Sequence, residues 1–537
     1  MPSPSACRDL PPLITALCDP GFHRPRAAEV ELLQTHISYI VLAGDRAYKI
    51  KKPVRFSFLD FSSLDRRRFF CGEEVRLNRR LAPEVYLGVT GVRRDGEGFR
   101  FCDADDPGAE EVAVVMRRLP SHRILAHLIE SGQAQSHHID SILRKLLSFY
   151  EGNRLEAGAA GAAAPARVLE WMDQDFAEMD RFRGNIIEAE DDDSIRRFCL
   201  ETTRRLSSLL EQRRLRGRVC DGHGDLHCEN ICLADEGVVI FDCIEFNPDF
   251  RQRDVASDIA FLAMDLEYRG RPEFARQLVD GFAKASADPV LPRLVPLFAC
   301  HRAYIRGKVD TLKSLGKELL ESERELARVQ AAAHFALALR MTWSYSIGLV
   351  LVTGLSGTGK STVSAQLRSR TGAVSFSSDL IRKELAGLTP ITRVTAADRE
   401  RLYSPEMSRQ TYATMLERAG CQLAAGRLVI LDATFLREEY RREACTLAAT
   451  HRVPMIVVEC VASPCEVEER LQVRWQANQD PSDADVAVYR RQSEVYQPPA
   501  AEEGFAVVRI DTTRPRAEWL AEVESLLRRQ LPPVIRV

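Results

Sequence analysis

The run Ile347-Gly-Leu-Val-Leu-Val-Thr353, followed at once by Gly354-Leu-Ser-Gly-Thr-Gly-Lys-Ser-Thr362, leaves this chain few ways to fold over that stretch. A short apolar, β-branched run reads as a buried strand. The nine residues after it fit G-x-x-x-x-G-K-[ST], with Gly354, Gly359, Lys360 and Ser361 at the fixed places. Leu355, Ser356, Gly357 and Thr358 form the intervening loop, and Thr362 follows in the helix expected from about Lys360. In such a loop the backbone N–H groups curl around phosphate oxygens, and the positive end of the helix dipole points at the same oxygens. Lys360 then reaches β and γ phosphates, and the Ser361 hydroxyl suits Mg²⁺, a hard cation that prefers oxygen ligands.

A second signature, of different design, lies earlier. His223-Gly-Asp225 followed by Asn230, within HGDLHCEN, has the spacing of a kinase catalytic loop. There the aspartate orients or deprotonates an acceptor hydroxyl and the asparagine holds a metal. Twelve residues beyond Asn230, Val238-Val-Ile-Phe-Asp242 is a β-branched run ending in a carboxylate placed for Mg²⁺. Cys220, His223, His227, Cys228 and Cys232 crowd the same stretch. They lack a paired C-x-x-C knuckle, which disfavours zinc.

A chain of 537 residues is long enough for two or three domains. Lys plus Arg number 74 against 77 Asp plus Glu, a formal charge of −3, so there is no basic surplus to imply extended nucleic-acid binding. The start, MPSPSACRDLPPL, lacks the parts of a signal peptide, and 14 scattered cysteines suit a reducing cytoplasm. No run approaches the length of a membrane span, so no membrane partner is expected.

In the first half, apolar and polar residues alternate from about His36 to Lys51 around Ala43-Gly-Asp-Arg46, predicting strand, turn and strand. A helix is expected near Arg66 to Leu81 and a strand over Glu111 to Arg117. Hairpin, helix and strand in that order predict the smaller lobe of a kinase fold, at about 30–120, with a larger lobe at about 121–344. Residues 156–166 (EAGAAGAAAPA) are low in complexity and predict a flexible surface excursion. Glu188–Asp193 reads as the exposed start of a helix.

Residues from about 36 to 310 resemble the aminoglycoside phosphotransferase family, relatives of protein kinases, most specifically at HGDLHCENICL and FDCIEFNPDFRQRDVASDIAFL. The resemblance implies Asp225 as the catalytic carboxylate, Asn230 and Asp242 as metal ligands, His223 as a loop-ordering residue and Asp258 as a brace for the loop. It also implies a strand lysine held by a helix carboxylate. Lys49 with Glu74 is the preferred pair, and Lys51 and Glu73 are the alternatives. The Ala43–Arg46 hairpin has a single glycine where protein kinases place a glycine-rich flap. No dense acidic cluster near the catalytic segments calls for a polycationic antibiotic. Arg302 and Arg306, four apart on one helix face, suit either an anionic acceptor or a solvated, salt-bridged face.

In the second half, Ala373–Asp379 is a strand ending in a carboxylate, with Arg382 three positions on. Such a pair can set a base beside an acceptor hydroxyl and a guanidinium beside a phosphate. Arg427–Asp432 is a third strand, whose Asp432 can hold Mg²⁺ through water or position the acceptor. Arg470 and Arg474 precede Asp480-Pro481-Ser482-Asp483 as a cationic lid over ATP, Arg474 being preferred. Residues 347 to about 510 resemble the small P-loop kinases that include gluconate kinase, zeta-toxin-type kinases and polynucleotide kinase, at GLSGTGKST, SSDLIRKEL and VILDATF.

The expected fold is a multidomain α/β chain: a two-lobed, protein-kinase-like α+β domain over 1–344, then a P-loop parallel α/β sheet with flanking helices over 345–537. The expected function is a bifunctional phosphotransferase using ATP and Mg²⁺, each half acting on a hydroxyl of a small molecule. The alternatives are a P-loop module that binds ATP and regulates a single kinase-like domain, or a nucleic-acid 5′-hydroxyl kinase in the second half.

Overall fold

The computed structural model describes residues 10–56, 59–159, 161–316, 319–390, 392, 394, 401–477, 482 and 484–535; Asp480, Pro481 and Asp483, beside the expected lid, lie outside them. The chain divides into two compact units, Met1–Ala338 and Leu339–Val537. Among the described residues no helix is long and apolar enough to cross a membrane.

The first unit opens on a six-stranded antiparallel sheet. Its strands are β1 (Val30–Gln34), β2 (Ser38–Ala43), β3 (Arg46–Lys51), β4 (Tyr86–Asp95), β5 (Gly98–Cys102) and β6 (Ala109–Arg117), in the order β1-β2-β3-β6-β4-β5. Between β3 and β4 the chain forms the helix Leu64–Asn78, started by Ser63, whose hydroxyl accepts the N–H of Arg66. Its Cys71 and Val75 pack against Val112 and Val114 of β6 and Tyr86 of β4. Each fully buried valine is worth about 1.5–3 kcal/mol. That packing turns Glu74 into the interior, fully buried, while Glu73 pairs with Arg76 at the surface.

The sheet corrects one expectation. The hairpin at Ala43–Arg46 joins β2 to β3, and a further hairpin, β1–β2, precedes it with its turn at Thr35–Ile37. The turn that occupies the flap position of a kinase small lobe is therefore Thr35-His36-Ile37, which has no glycine.

The rest of the first unit is mostly helical. The helix Val255–Tyr268 is buried almost all round, as a helix apolar on every face must be, and the helix Leu291–Ser314 packs along it. A short antiparallel pair, β8 (Ile231–Ala234) with β9 (Gly237–Ile240), sits beside β7 (Val219–Asp221) and β10 (Gln252–Asp254), which pair with each other. Sheet and helical lobe together make the two-lobed, kinase-like arrangement.

Two local expectations differ. Within the alanine-rich stretch, Gly161–Ala163 form a 3₁₀ turn, and Ala163 is buried against Val219 and Leu155. Small side chains let Ala162 and Ala163 pack into the unit, while residues 156–159 stay exposed. In the acidic stretch Glu188–Asp193, Asp192 is fully buried, accepting the Tyr304 hydroxyl at 2.8 Å and pairing with Arg183 at 3.1 Å and Arg196 at 2.5 Å. The Tyr304 hydroxyl and the two guanidinium groups offset only part of its desolvation, and burial leaves its carboxyl pKa raised.

The second unit holds a five-stranded, all-parallel sheet of β11 (Gly348–Thr353), β12 (Val374–Ser377), β13 (Leu428–Asp432), β14 (Met455–Val461) and β15 (Ala506–Asp511), in the order β12-β13-β11-β14-β15. Both faces are covered. Val350 and Val352 of β11 enter one apolar cluster with Trp519 and Leu527, while Leu349 and Leu351 enter another with Met415 and Ala444. Alternation with both sides buried explains the unbroken apolar run in the sequence. Because β13 and β14 flank β11 on opposite sides, the carboxyl end of β11 is a topological switch point, where open α/β sheets bind ligands.

Candidate active sites

The first site is built around a hairpin. The β8–β9 register pairs Ile231 with Ile240, and the Phe241 N–H donates to the Asn230 carbonyl at 3.0 Å. Asn230 and Asp242, twelve residues apart in sequence, thus meet at the hairpin's open end. Asn230 Nδ2 donates to the Asp225 carbonyl at 3.0 Å and lies 3.3 Å from Asp225 Oδ2. Asp242 sits at φ 63°, left-handed backbone that aspartate tolerates better than most residues, with its N–H held by the Tyr86 hydroxyl at 3.0 Å. The next N–H, of Cys243, donates to Asn78 Oδ1 at 2.8 Å, so the helix that carries Glu74 also fixes this turn.

Asp258 braces the HGD loop. It accepts the N–H of His223 at 2.7 Å, the N–H of Gly224 at 3.1 Å and the Tyr150 hydroxyl at 3.0 Å. Gly222 makes this approach possible, since a Cβ there would lie 2.4 Å from Asp258 Oδ2. His223 itself is fully buried, its Nε2 2.9 Å from the Phe241 carbonyl, and burial lowers its pKa.

On β3, Lys49 and Lys51 share one face and one carboxylate. Lys49 Nζ lies 2.8 Å from Glu74 Oε1 and 2.5 Å from Asp242 Oδ1, whereas Lys51 Nζ lies 2.7 Å from Glu74 Oε2 and also pairs with Glu245. Burial opposes both ammonium charges, but the surrounding carboxylates outweigh it and raise both pKa values. Burial likewise works against the Glu74 carboxylate, and the two lysines overcome it and hold its pKa down. Lys49 alone reaches Asp242. Lys51 faces inward to Glu245, a residue the spacing arguments passed over although it lies inside FDCIEFNPD.

His227, weighed in the sequence only as a zinc ligand, sets its Nε2 3.3 Å from Asp225 Oδ2. Burial pushes the Asp225 carboxyl up, but His227, Arg306 and His223 together hold it well below the usual carboxylate range. A carboxylate held this low is a weak base, suited to orienting a hydroxyl more than to deprotonating it. His36, at the tip of the β1–β2 turn, lies close enough to Asp225 to feel its charge.

The second site lies at the carboxyl edge of the parallel sheet, where Asp432 stands level with Val352 of β11 and Ser377 of β12. Gly354 has φ 135°, and a Cβ on it would lie 2.3 Å from the Cys460 carbonyl. The helix Lys360–Thr371 begins at Gly359. Lys360 Nζ donates to the Leu355 carbonyl at 2.9 Å; its pKa is lowered by burial, against the pull of Asp432 and Asp379. Arg382 donates to Asp379 at 3.0 Å and lies over the Tyr403 ring at 4.7 Å. Arg470 bonds Glu466 and Thr512, both at 2.9 Å, and Arg474 donates to the Ala484 carbonyl at 2.9 Å. Two residues passed over also reach this edge: Gln492 accepts the Ser356 N–H at 2.9 Å, and Tyr496 donates to the buried Glu459 at 2.8 Å. Their distance from the loop in sequence hid them.

Over 452 residues the chain is 30% identical to the uncharacterized protein Rv2004c of Mycobacterium tuberculosis, an alignment that spans 84% of this chain and 87% of that one. The chain belongs to the Rv2004c family. Within it, residues 349–499 match the model of the AAA domain. Among solved structures, the chain is similar to a gluconokinase from Sinorhizobium meliloti, with 22% identity, 34% of this chain and 92% of that one covered and a TM-score of 0.24. It is also similar to the aminoglycoside phosphotransferase APH(2'')-Ib, with 14% identity, 58% and 96% covered and a TM-score of 0.31. In this member of the Rv2004c family the first unit carries the HGD loop on a kinase-like fold and the second carries the P-loop on a parallel sheet.

Both donor sets fit a magnesium nucleotide. At Gly354 the loop passes too close to the Cys460 carbonyl for any side chain, and the positive φ of Gly354, Gly357 and Gly359 gives the curled backbone a phosphate cradle needs. Asn230 and Asp242 in one unit, and Ser361 and Asp432 in the other, offer the hard oxygen ligands that Mg²⁺ takes.

Proposed function

We propose that the chain is a bifunctional ATP-dependent phosphotransferase, each half transferring the γ-phosphoryl group of ATP to a hydroxyl of a small molecule. The observation that carries this reading is the meeting of Lys49 with both Glu74 and Asp242, next to a hairpin end that also holds Asn230 and Asp225. Phosphoryl transfer asks of a protein mainly positioning and charge neutralisation, and this set provides both.

In the first half Lys49 neutralises phosphate charge, Asn230 and Asp242 hold Mg²⁺, and Asp225 aligns the acceptor hydroxyl. In the second, Lys360 and the loop Gly354–Thr362 grip the phosphates, Ser361 and Asp432 serve Mg²⁺, Asp379 directs the acceptor, and Arg382, Arg470 and Arg474 neutralise charge. ATP supplies the phosphoryl group, and Mg²⁺ offsets the negative charge of its phosphates. The near balance of acidic and basic residues argues against nucleic acid as partner, and the scattered cysteines suit a cytoplasmic enzyme of small molecules with no membrane partner.

The test is a metabolite extract phosphorylated with γ-labelled ATP by the intact chain, Asp225→Asn and Lys360→Ala. Each substitution should remove a different labelled product by on the order of a hundredfold or more. Full labelling at the normal rate by both variants refutes the reading.

A further inference from the structure

Beside the HGD loop lie three half-buried guanidinium groups, Arg253, Arg302 and Arg306. None has an ion pair with a carboxylate among the described residues. Arg253 donates to the Asp249 carbonyl at 2.7 Å and lies over the Trp171 ring at 5.8 Å. Arg302 donates to the Ser257 hydroxyl at 3.3 Å and lies over the Phe261 ring at 4.8 Å. Elsewhere in the same unit, buried arginines are neutralised: Arg213 by Asp254 and Asp288, Arg251 by Asp221.

Arg302 and Arg306 are tied to Asp225, and Arg253 to Arg302. The Phe261 ring under Arg302 is 5.6 Å from the His227 ring, and His227 pairs with Asp225. Arg306, one turn along the helix from Arg302, helps to hold the Asp225 carboxyl down. Burial, then the neighbouring charge of Arg302, pushes Arg253 down to about 10, whereas burial at Arg306 is outweighed by Asp225 and further carboxylates, which raise it. Half-buried guanidinium groups with open N–H donors are strong partners for phosphate or carboxylate, and they repel a polyamine.

We propose that the acceptor of the first half is an alcohol that also carries an anionic group, a phosphate or a carboxylate, gripped by Arg302, Arg306 and Arg253 while its hydroxyl meets Asp225. This rests on the phosphotransferase reading above. In the reaction the acceptor oxygen forms a bond to the γ-phosphorus of ATP, the bond from that phosphorus to the β,γ-bridging oxygen breaks, ADP leaves and the hydroxyl proton passes to Asp225.

The test uses the full chain carrying Lys360→Ala, which silences the second half. Ribose 5-phosphate, ribonate and neutral ribose separate phosphate from carboxylate recognition, and kanamycin is the cationic counterpart. Calorimetry reads binding and ADP release reads transfer. We expect one of the two anions to bind, and Arg302→Gln or Arg306→Gln to weaken that binding by about tenfold or more, as lost charged hydrogen bonds do. Lysine at either position should restore part of the affinity, and Arg144→Gln, on an exposed helix face, should leave it intact. Kanamycin binding in place of both anions, no anion binding at millimolar concentration, or equal anion binding by the glutamine variants overturns the proposal. The two readings fail separately. If anion binding depends on Arg302 and Arg306 while Asp225→Asn releases ADP like its parent, the anion site stands and the transfer reading falls. If Asp225→Asn abolishes ADP release but the arginines are indifferent to anions, the reverse holds.

Discussion

Asp258 accepts the backbone N–H of His223 at 2.7 Å, so a carboxylate on a buried helix holds the catalytic loop by its main chain. The same carboxylate takes Gly224 N–H and the Tyr150 hydroxyl. Asp258→Ala strands those donors in the interior and should destabilise the first unit by about 2–4 kcal/mol. Asp258→Asn keeps an acceptor and should cost less. Urea unfolding followed by a probe in the first unit distinguishes them, and equal stability of all three proteins would contradict the brace.

The two lysines on Glu74 should separate by phenotype. Lys51→Met leaves Glu74 and Glu245 buried with one cation fewer, and breaking a buried pair costs about 3–5 kcal/mol. Lys49→Met, next to the more open Asp242, should instead lower transfer by the first half at least about a hundredfold with a smaller loss of stability. Chemical denaturation and single-turnover transfer, measured on both variants, check the division. The reverse pattern would make Lys51 the phosphate-facing lysine.

The Asp225–His227 pair fixes a pH dependence. Burial lowers the imidazole pKa, but Asp225 raises it to a net value above 6.5. A raised folded-state pKa contributes stability that is complete below the unfolded value and is lost as pH rises through the folded one. Asp225 is the opposite case: its depressed pKa contributes above the unfolded value of about 3.9, and that contribution is lost as pH falls through the folded one. Between about pH 6 and about pH 9 the melting temperature of the first unit should therefore fall more in the wild type than in His227→Gln. Scanning calorimetry across that range reads the difference, and parallel pH profiles would rule out the pair.

Gly354→Ala should empty the second site while sparing the first. A Cβ 2.3 Å from the Cys460 carbonyl, on backbone with φ 135°, forces the loop open. ATP titration by calorimetry should change from about two nucleotides per chain to about one, matching Lys360→Ala. An unchanged stoichiometry would place phosphate binding elsewhere.

Local order told most about the second site. The strand, the glycine spacing and the helix start at Lys360 are consecutive, and steric rules act on consecutive residues, so Gly354 to Thr362 were legible. The strand ends at the P-loop and at Asp432 were legible too, because each apolar run stops there, whereas the strand expected to end at Asp379 stops at Ser377 and Asp379 falls in the first turn of the helix Ser378–Leu385. In the first half, the fixed offsets from His223 to Asn230 and the run into Asp242 located the catalytic segments. Alternation around Ala43–Arg46 located β2 and β3. The weakly patterned β1 escaped, and with it the Thr35–Ile37 turn that stands in the flap position.

The chain order alone determined where the HGD loop and the P-loop lie, because those depend on backbone geometry over a few neighbouring residues. Tertiary structure decided how the side chains divide the work. Lys49 meets Asp242 across 193 positions and Lys51 meets Glu245 across 194, and Arg306 stands close enough to Asp225 to lower its pKa across 81. Period two puts both lysines on one face of β3, and the packing of the helix Leu64–Asn78 then brings Glu74 between them. Charge pairing over such separations is set by which surfaces bury one another, a property that no local spacing encodes.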